Sequence, residues 1–379
     1  MTSRDVVGAI IRGVRFVVHM WTVLQSAAAL SLRSVADGSI RQLPIPHRAV
    51  KEHELIEELL PGIFRMSVPL PKSPLKATNS YVVMDAERPL VVDTAFNRPE
   101  CEEAFVTLLG ELGLRPDGVD YFLTHLHADH MGLAAGLAGD GARVFFNEAD
   151  LPLARPDDDY WDMMGSVYKS HGLPLRDSRV AMDKHPGRIY GPNVDFAYTI
   201  VRDGDRLERG GYSLRCFQTT GHTPGHMCLL VEGQAVLLCG DHILGDITPN
   251  ITMWIGMDDS LGHYPRSLEA TAALGLKRAF TGHRSMVDDV QLRIDELKLH
   301  HSTRCDECIT ALESGEKDAA TVTPLISWDL RYEKWDDVHP VQKLFATGEA
   351  IAHLQHLEAQ GVISSRESGG RILYTLNRS

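Results

Sequence analysis

The chain has 379 residues, 44% of them apolar and 23% charged, which is the composition of a soluble globular protein with a sizeable core, and it is long for one ordinary domain. Its formal charge of −13 repels phosphate backbones and weighs against a nucleic-acid partner. Six scattered cysteines lack the density of a small secreted scaffold, so a reducing, cytoplasmic compartment is expected.

Residues 1–54 read as an N-terminal extension. The apolar run from Val6 to Leu32 is interrupted by Arg12, Arg15, His19 and Gln25, so no integral membrane span is expected. A transit-like presequence, a membrane-surface helix and an extension docked on the body all suit it, the last being preferred.

Short strands begin near Leu55. Gly62–Leu70 alternates, and Asn79–Met84 leads through the Asp85–Arg88 turn into the strand Pro89–Asp93. A helix is expected at Cys101–Leu112, a strand at Tyr121–Leu123, a helix at His130–Leu137 and a strand over 142–146. Residues 151–200, with Asp157-Asp-Asp-Tyr-Trp, Tyr168 and His171, suit an insertion or lid beside a site. Strands resume at Leu214–Gln218, Met227–Val231 and Ala235–Cys239, and a short one precedes Thr281. Beyond residue 290, helices over 292–312 and 349–360 and a hairpin flanking Glu367–Gly370 suggest a small winged-helix-like domain. The expected domains are thus 1–54, 55–290 and 291–379.

The chemistry concentrates in Thr124-His-Leu-His-Ala-Asp-His, where a strand gives way to a helix. His125 and His127, two apart in extended or loop backbone, can converge on one ion, while Asp129 and His130 face a second. Imidazoles mixed with carboxylates suit zinc or another first-row divalent metal better than calcium or magnesium. Further donors arrive at strand tips: His222 in Gly-His-Thr-Pro-Gly-His, Asp241 in Gly-Asp, and His283 in Thr-Gly-His.

In these motifs and their order the chain resembles the metallo-β-lactamase-fold hydrolases, particularly the glyoxalase II-like branch, over residues 55–290. The resemblance implies an α/β (α+β), four-layer α-β-β-α sandwich followed by the winged-helix-like domain. It implies two divalent metal ions, zinc in the first instance with iron or manganese as alternatives. His125, His127 and His222 would hold one, Asp129, His130 and His283 the other, and Asp241 would bridge them. A bridging water, acidified by both ions, would attack a carbonyl carbon, with Asp129 orienting the nucleophile. Arg284 stands where relatives often carry a small residue, which suits an anionic substrate.

Other polar residues have plainer readings. His226 reads as structural, His242 as pointing away from the site, and Asp93 as a turn residue or support for a ligand. Tyr168, His171 and Trp254 either pack or line the cleft, and His300, His301 and Arg304 reach toward its mouth only if the C-terminal region folds back. Cys305-x-x-Cys308 lacks a second pair and reads as part of a helix. The expected activity is hydrolysis of a small acyl substrate, first a thioester of the coenzyme A or glutathione type, then a lactone. A nuclease or RNA-binding protein is the alternative from another class, but residues 291–379 hold 10 Lys/Arg against 14 Asp/Glu. A homodimer through the C-terminal domain is a further expectation.

Overall fold

A computed structural model describes residues 55–329 and 333–377, so the expected N-terminal extension lies outside the described residues. Fourteen strands are assigned within them. The first sheet runs in the order β1 (Ile56–Leu60), β2 (Ile63–Pro69), β3 (Ala77–Val83), β4 (Leu90–Val92), β5 (Asp120–Phe122), β6 (Val144–Asn147), β7 (Thr199–Val201). Its neighbours are antiparallel as far as β4 and parallel from β4 to β7. The second sheet has the order β12 (Arg278–Thr281), β11 (Val236–Gly240), β10 (Met227–Val231), β9 (Tyr212–Gln218), β8 (Arg206–Arg209), antiparallel except for the parallel pair β11 and β12. A hairpin of β13 (Ile363–Ser368) and β14 (Arg371–Leu376) closes the chain.

The helices, in chain order, are α1 (Pro99–Glu111), α2 (Ala128–Met131), α3 (Ala134–Leu137), α4 (Asp158–Ser170), α5 (Leu175–Asp183), α6 (Pro186–Tyr190), α7 (Ser260–Ala272), α8 (Val290–Leu312), α9 (Ala319–Val322) and α10 (Pro340–Ala359).

Side-chain alternation builds the layers. Val83, Val92, Phe122 and Phe145 of the first sheet share a buried cluster with Leu214, Leu229, Leu238 and Phe280 of the second, which is the seam between the sheets. Their neighbours Val82, Val91, Tyr121 and Phe146 turn the other way, onto Phe105, Leu108 and Leu109 of α1. Cys228, Leu237 and Ala279 face outward from the second sheet onto Leu261, Tyr264 and Leu268 of α7 and Ile294 and Leu297 of α8. The order helix, sheet, sheet, helix is the expected four-layer sandwich.

Two elements depart from expectation. Helix α10 begins nine residues earlier than the apolar pattern suggests; His339 accepts the Val341 N–H at 3.3 Å as its N-cap, and Pro340 occupies the first turn, where it needs no N–H donor. The insertion is not a free-standing lid. Trp161 and Tyr168 of α4 and Met182 of α5 are buried in one cluster with Cys308 and Leu312 of α8, Ile351 and Leu354 of α10 and Tyr374 of β14. The insertion and the C-terminal elements therefore share a core.

Candidate metal centre

Parallel pairing at β4–β5 and β11–β12 puts the C-terminal ends of those strands side by side; His125, His127, Asp129 and His130 follow β5, Asp241 follows β11 and His283 follows β12, while His222 follows β9. After β5 the chain bends at Thr124, His125 and Leu126, is extended at His127 and then enters α2, so Asp129 and His130 lie in a helical turn. Asp93, just past β4, takes a left-handed φ of 60°. From there its carboxylate accepts the Thr124 N–H, the Thr124 hydroxyl and the His130 Nδ1–H, each at 2.8 Å. Because Thr124 gives its proton to Asp93, its Oγ1 accepts from His125 Nδ1 at 2.9 Å. Asp150, fully buried, joins the two motif turns: it accepts the Leu126 N–H at 3.0 Å, the Thr223 hydroxyl at 2.7 Å and the Gly225 N–H at 2.5 Å. Burial pushes the Asp150 carboxyl up to about 6.

The outer nitrogens of four imidazoles are thereby committed to acceptors. His125 donates to Thr124 and His130 to Asp93; His222 Nδ1 donates to the Asn250 carbonyl at 2.9 Å and His283 Nδ1 to the Ala77 carbonyl at 2.8 Å. In their neutral forms each then presents an Nε2 lone pair to the interior. These atoms crowd together. His127 Nδ1 lies 3.0 Å from His125 Nε2 and 2.9 Å from His222 Nε2, while His130 Nε2 and His283 Nε2 are 3.2 Å apart. Asp241 sits between the two groups, with Oδ1 3.5 Å from His130 and Oδ2 3.7 Å from His222 and 3.5 Å from His283. Asp129 Oδ2 is 3.4 Å from His283 Nε2. Three metal-sized groups result: His125/His127/His222, Asp129/His130/His283, and Asp241 with His125 and His130.

Inward-facing lone pairs at such separations repel unless something positive lies among them, and Asp241 Oδ1 is buried without a hydrogen-bond partner among the described residues. This donor set fits divalent cations. The electrostatics divide the same way. Burial holds His125 well below the ordinary imidazole range and His127 at about 3, so the three-histidine group is neutral. Burial also acts against charge on His130 and His283, but the Asp241 carboxylate, with Asp93 beside His130 and Asp129 beside His283, overcomes it; His130 is held well above its usual value and His283 is raised to about 10. Without a metal, protons occupy the place of positive charge.

Close packing explains Gly282: a Cβ there would collide with Asp241 Oδ1 and come within 2.8 Å of His130 Cε1. His226 supports the site from behind, pairing through Nδ1 with Thr219 at 2.8 Å while Nε2 accepts the Asp241 N–H at 3.2 Å. His242 turns away to Thr271, 2.8 Å distant. Trp254 is at the site: its ring stacks on His127 with centroids 6.0 Å apart, and Nε1 donates to the His222 carbonyl at 3.1 Å. Tyr168 and His171 are buried in packing, the latter against Tyr374.

His300, His301 and Glu349 form a further close group, but Glu349 already receives Arg304 Nη1 on Oε1 at 2.6 Å and Asn250 Nδ2 on Oε2 at 2.8 Å. A guanidinium supplies positive charge there, so the Glu349 carboxylate is already paired. Asp150, Thr124 and Asn250 escaped the sequence reading. None lies in a ligand pattern; only Thr124, adjoining His125, carried a positional hint.

Residues 74–283, more than half of the chain, match the family model described as the metallo-beta-lactamase superfamily. The chain belongs to that superfamily. The metallo-beta-lactamase family protein TTHA1429 from Thermus thermophilus is 31% identical, with a TM-score of 0.72, over 84% of this chain and 100% of that one. The lactamase-like protein vrtG of Penicillium aethiopicum is 28% identical over 64% of this chain, and the match spans 63% of its own length, less than two thirds. An atrochrysone carboxyl ACP thioesterase of Aspergillus fumigatus is 23% identical over 73% of this chain and 72% of its own. No helix among the described residues is long and apolar enough to cross a membrane.

Proposed function

We propose that this member of the superfamily is a dinuclear metal-dependent hydrolase of small acyl thioesters, in the glyoxalase II-like branch and with zinc as the first candidate metal. The observation that carries the metal reading is the set of four imidazoles fixed by their outer nitrogens with Asp241 between them. The thioester reading draws support from relatives named as ACP thioesterases.

His125, His127 and His222 would hold one ion and Asp129, His130 and His283 the other, with Asp241 shared. When bound, the ions supply acidity that brings a water's pKa to about 7 and positive charge that steadies an oxyanion. Asp129, 8% exposed and held to about 2 by His283 and His130 against the effect of burial, is a carboxylate at neutral pH and can orient the proton of an attacking water. Trp254 forms an apolar wall over His127. Arg284, in a left-handed turn with φ 56° directly after His283, would face the anionic part of the substrate. The C-terminal helices and hairpin have the element order of a winged-helix-like module, for which we infer a role in closing the site or in a homodimer contact. Free cysteines throughout the described residues agree with a cytoplasmic protein.

One preparation, assayed for metal content and on a panel of thioesters, lactones, phosphodiesters and RNA, tests the reading. About two equivalents of zinc, iron or manganese and preferential thioester cleavage are expected. Metal-free protein with full activity, or faster turnover of RNA than of thioesters, overturns it.

A further inference from the structure

The C-terminal polar cluster makes one connection that its own packing does not require. The guanidinium carbon of Arg304 on α8 sits over Trp328, 4.2 Å from the ring centre, with Nη2 donating to the Ser327 carbonyl at 2.8 Å and Nη1 to Glu349 Oε1 at 2.6 Å. The guanidinium is thus fixed on three sides. The other carboxylate oxygen of Glu349 accepts Asn250 Nδ2 at 2.8 Å, and the Asn250 carbonyl accepts the His222 Nδ1 proton at 2.9 Å. Glu349 and Arg304 are 6% and 7% exposed, so water does not compete for these bonds.

Residue 348 shows that this approach is specific. A glycine inside a helix costs about 1 kcal/mol relative to alanine. Here a Cβ would overlap Thr252 Oγ1 and Tyr168 Oη, so only glycine lets α10 come close enough to the 250–253 segment for Glu349 to reach Asn250. The Met253 N–H donates to the Gly348 carbonyl at 3.2 Å and fixes the same approach from the backbone.

We propose that Glu349, clamped by Arg304, is a positioning residue for the first metal-binding group: through Asn250 it holds the carbonyl that fixes the His222 ring and aims Nε2 at the ion. This rests on the metal-centre reading above. It gives the C-terminal helices a function in that centre, since they supply the fixed end of a chain of bonds terminating on His222. The second group, Asp129, His130 and His283, takes its supports from Asp93 and Ala77 and is independent of Glu349.

The test uses the full-length protein, stripped of metal and reloaded with zinc or cobalt, and the variants Asn250→Ala, Glu349→Ala and Glu349→Gln. His356→Ala is the control; it removes the 3.1 Å contact from α10 to Asp259, which involves neither Asn250 nor His222. Affinities come from chelator competition, and thermal midpoints from the stripped forms. Asn250→Ala and Glu349→Ala should weaken one of two ions by roughly 10- to 100-fold and leave the other unchanged. Glu349→Gln, which keeps an acceptor for Asn250, should recover part of that affinity. His356→Ala should lower the thermal midpoint without changing either affinity. Asn250→Ala tells the same story should Glu349→Ala not fold. Unchanged affinities in Asn250→Ala, or two ions weakened equally in step with the midpoint as in a merely structural defect, overturn the proposal. Wild-type protein that takes up no ion overturns the metal-centre reading itself, a result distinct from two ions bound with equal affinity in every variant.

Discussion

Two clusters of buried imidazoles and carboxylates stand out among the described residues, and they differ in the origin of their positive charge. At the strand ends, His125, His127, His130, His222 and His283 surround Asp241 with no lysine or arginine of the described residues bonded among them. In the C-terminal region His300, His301 and His353 surround Glu349, but Arg304 is built into the cluster. Residue types alone would assign both to metals. The distinction lies in the hydrogen bonds: the first cluster directs lone pairs at one another, whereas the second satisfies its carboxylate with a permanent cation. Removing an acid from the first should therefore cost function, and removing a charge from the second should cost stability.

The largest effect expected is at Asp241. Asp241→Asn should lower kcat/KM by roughly a hundredfold or more and reduce the ion content, while denaturation stays cooperative; turnover near the wild-type level would remove its shared role. In the other cluster, Arg304→Met should destabilise by about 3–5 kcal/mol in a denaturant titration, because it leaves the Glu349 carboxylate buried and unpaired. Adding Glu349→Leu to that variant should restore much of the stability without restoring ion affinity. A restored affinity would separate the second cluster from the first.

A smaller effect concerns acid. Burial holds His171 at about 4, against Tyr374, and His353 at about 4 beside Glu349. Below pH about 6.5 the unfolded chain binds protons that the folded chain refuses, so stability from these residues is present above that pH and is lost as pH falls toward 4. His171→Phe should flatten the acid limb of stability against pH, by on the order of 2 kcal/mol at pH 4; an unaltered slope would place its proton acceptance elsewhere. The least effect is expected of the C-x-x-C pair. Burial raises the Cys305 thiol to about 12 and Cys308 higher still, so neither should be alkylated in the folded protein, and Cys305→Ser should change stability by no more than about 0.5 kcal/mol and ion content not at all.

The sandwich was legible in the sequence because its strands are short apolar runs bounded by turn residues; Met227–Val231 appears with its expected limits. The start of α10 was not, since Leu344–Gly348 lacks a clear stripe where both the insertion and the loop at 250–253 cover the helix. Seven site residues stood out because strand-end histidines and aspartates in motif order are uncommon. Their supports did not. Asp150 and Asn250 act through contacts 24 to 99 residues distant in the chain, which no local pattern records.

His125 and Asp129 come from the first sheet, while His222, Asp241 and His283 come from the second. On the proposed reading each ion is therefore a cross-link between the two halves of the sandwich, closing for example the 153-residue separation between His130 and His283. All described cysteines are free, so on that reading these cross-links would be coordination bonds added to the apolar seam between the sheets. A chelator, and not a reductant, is the reagent that should lower the thermal midpoint of the sandwich.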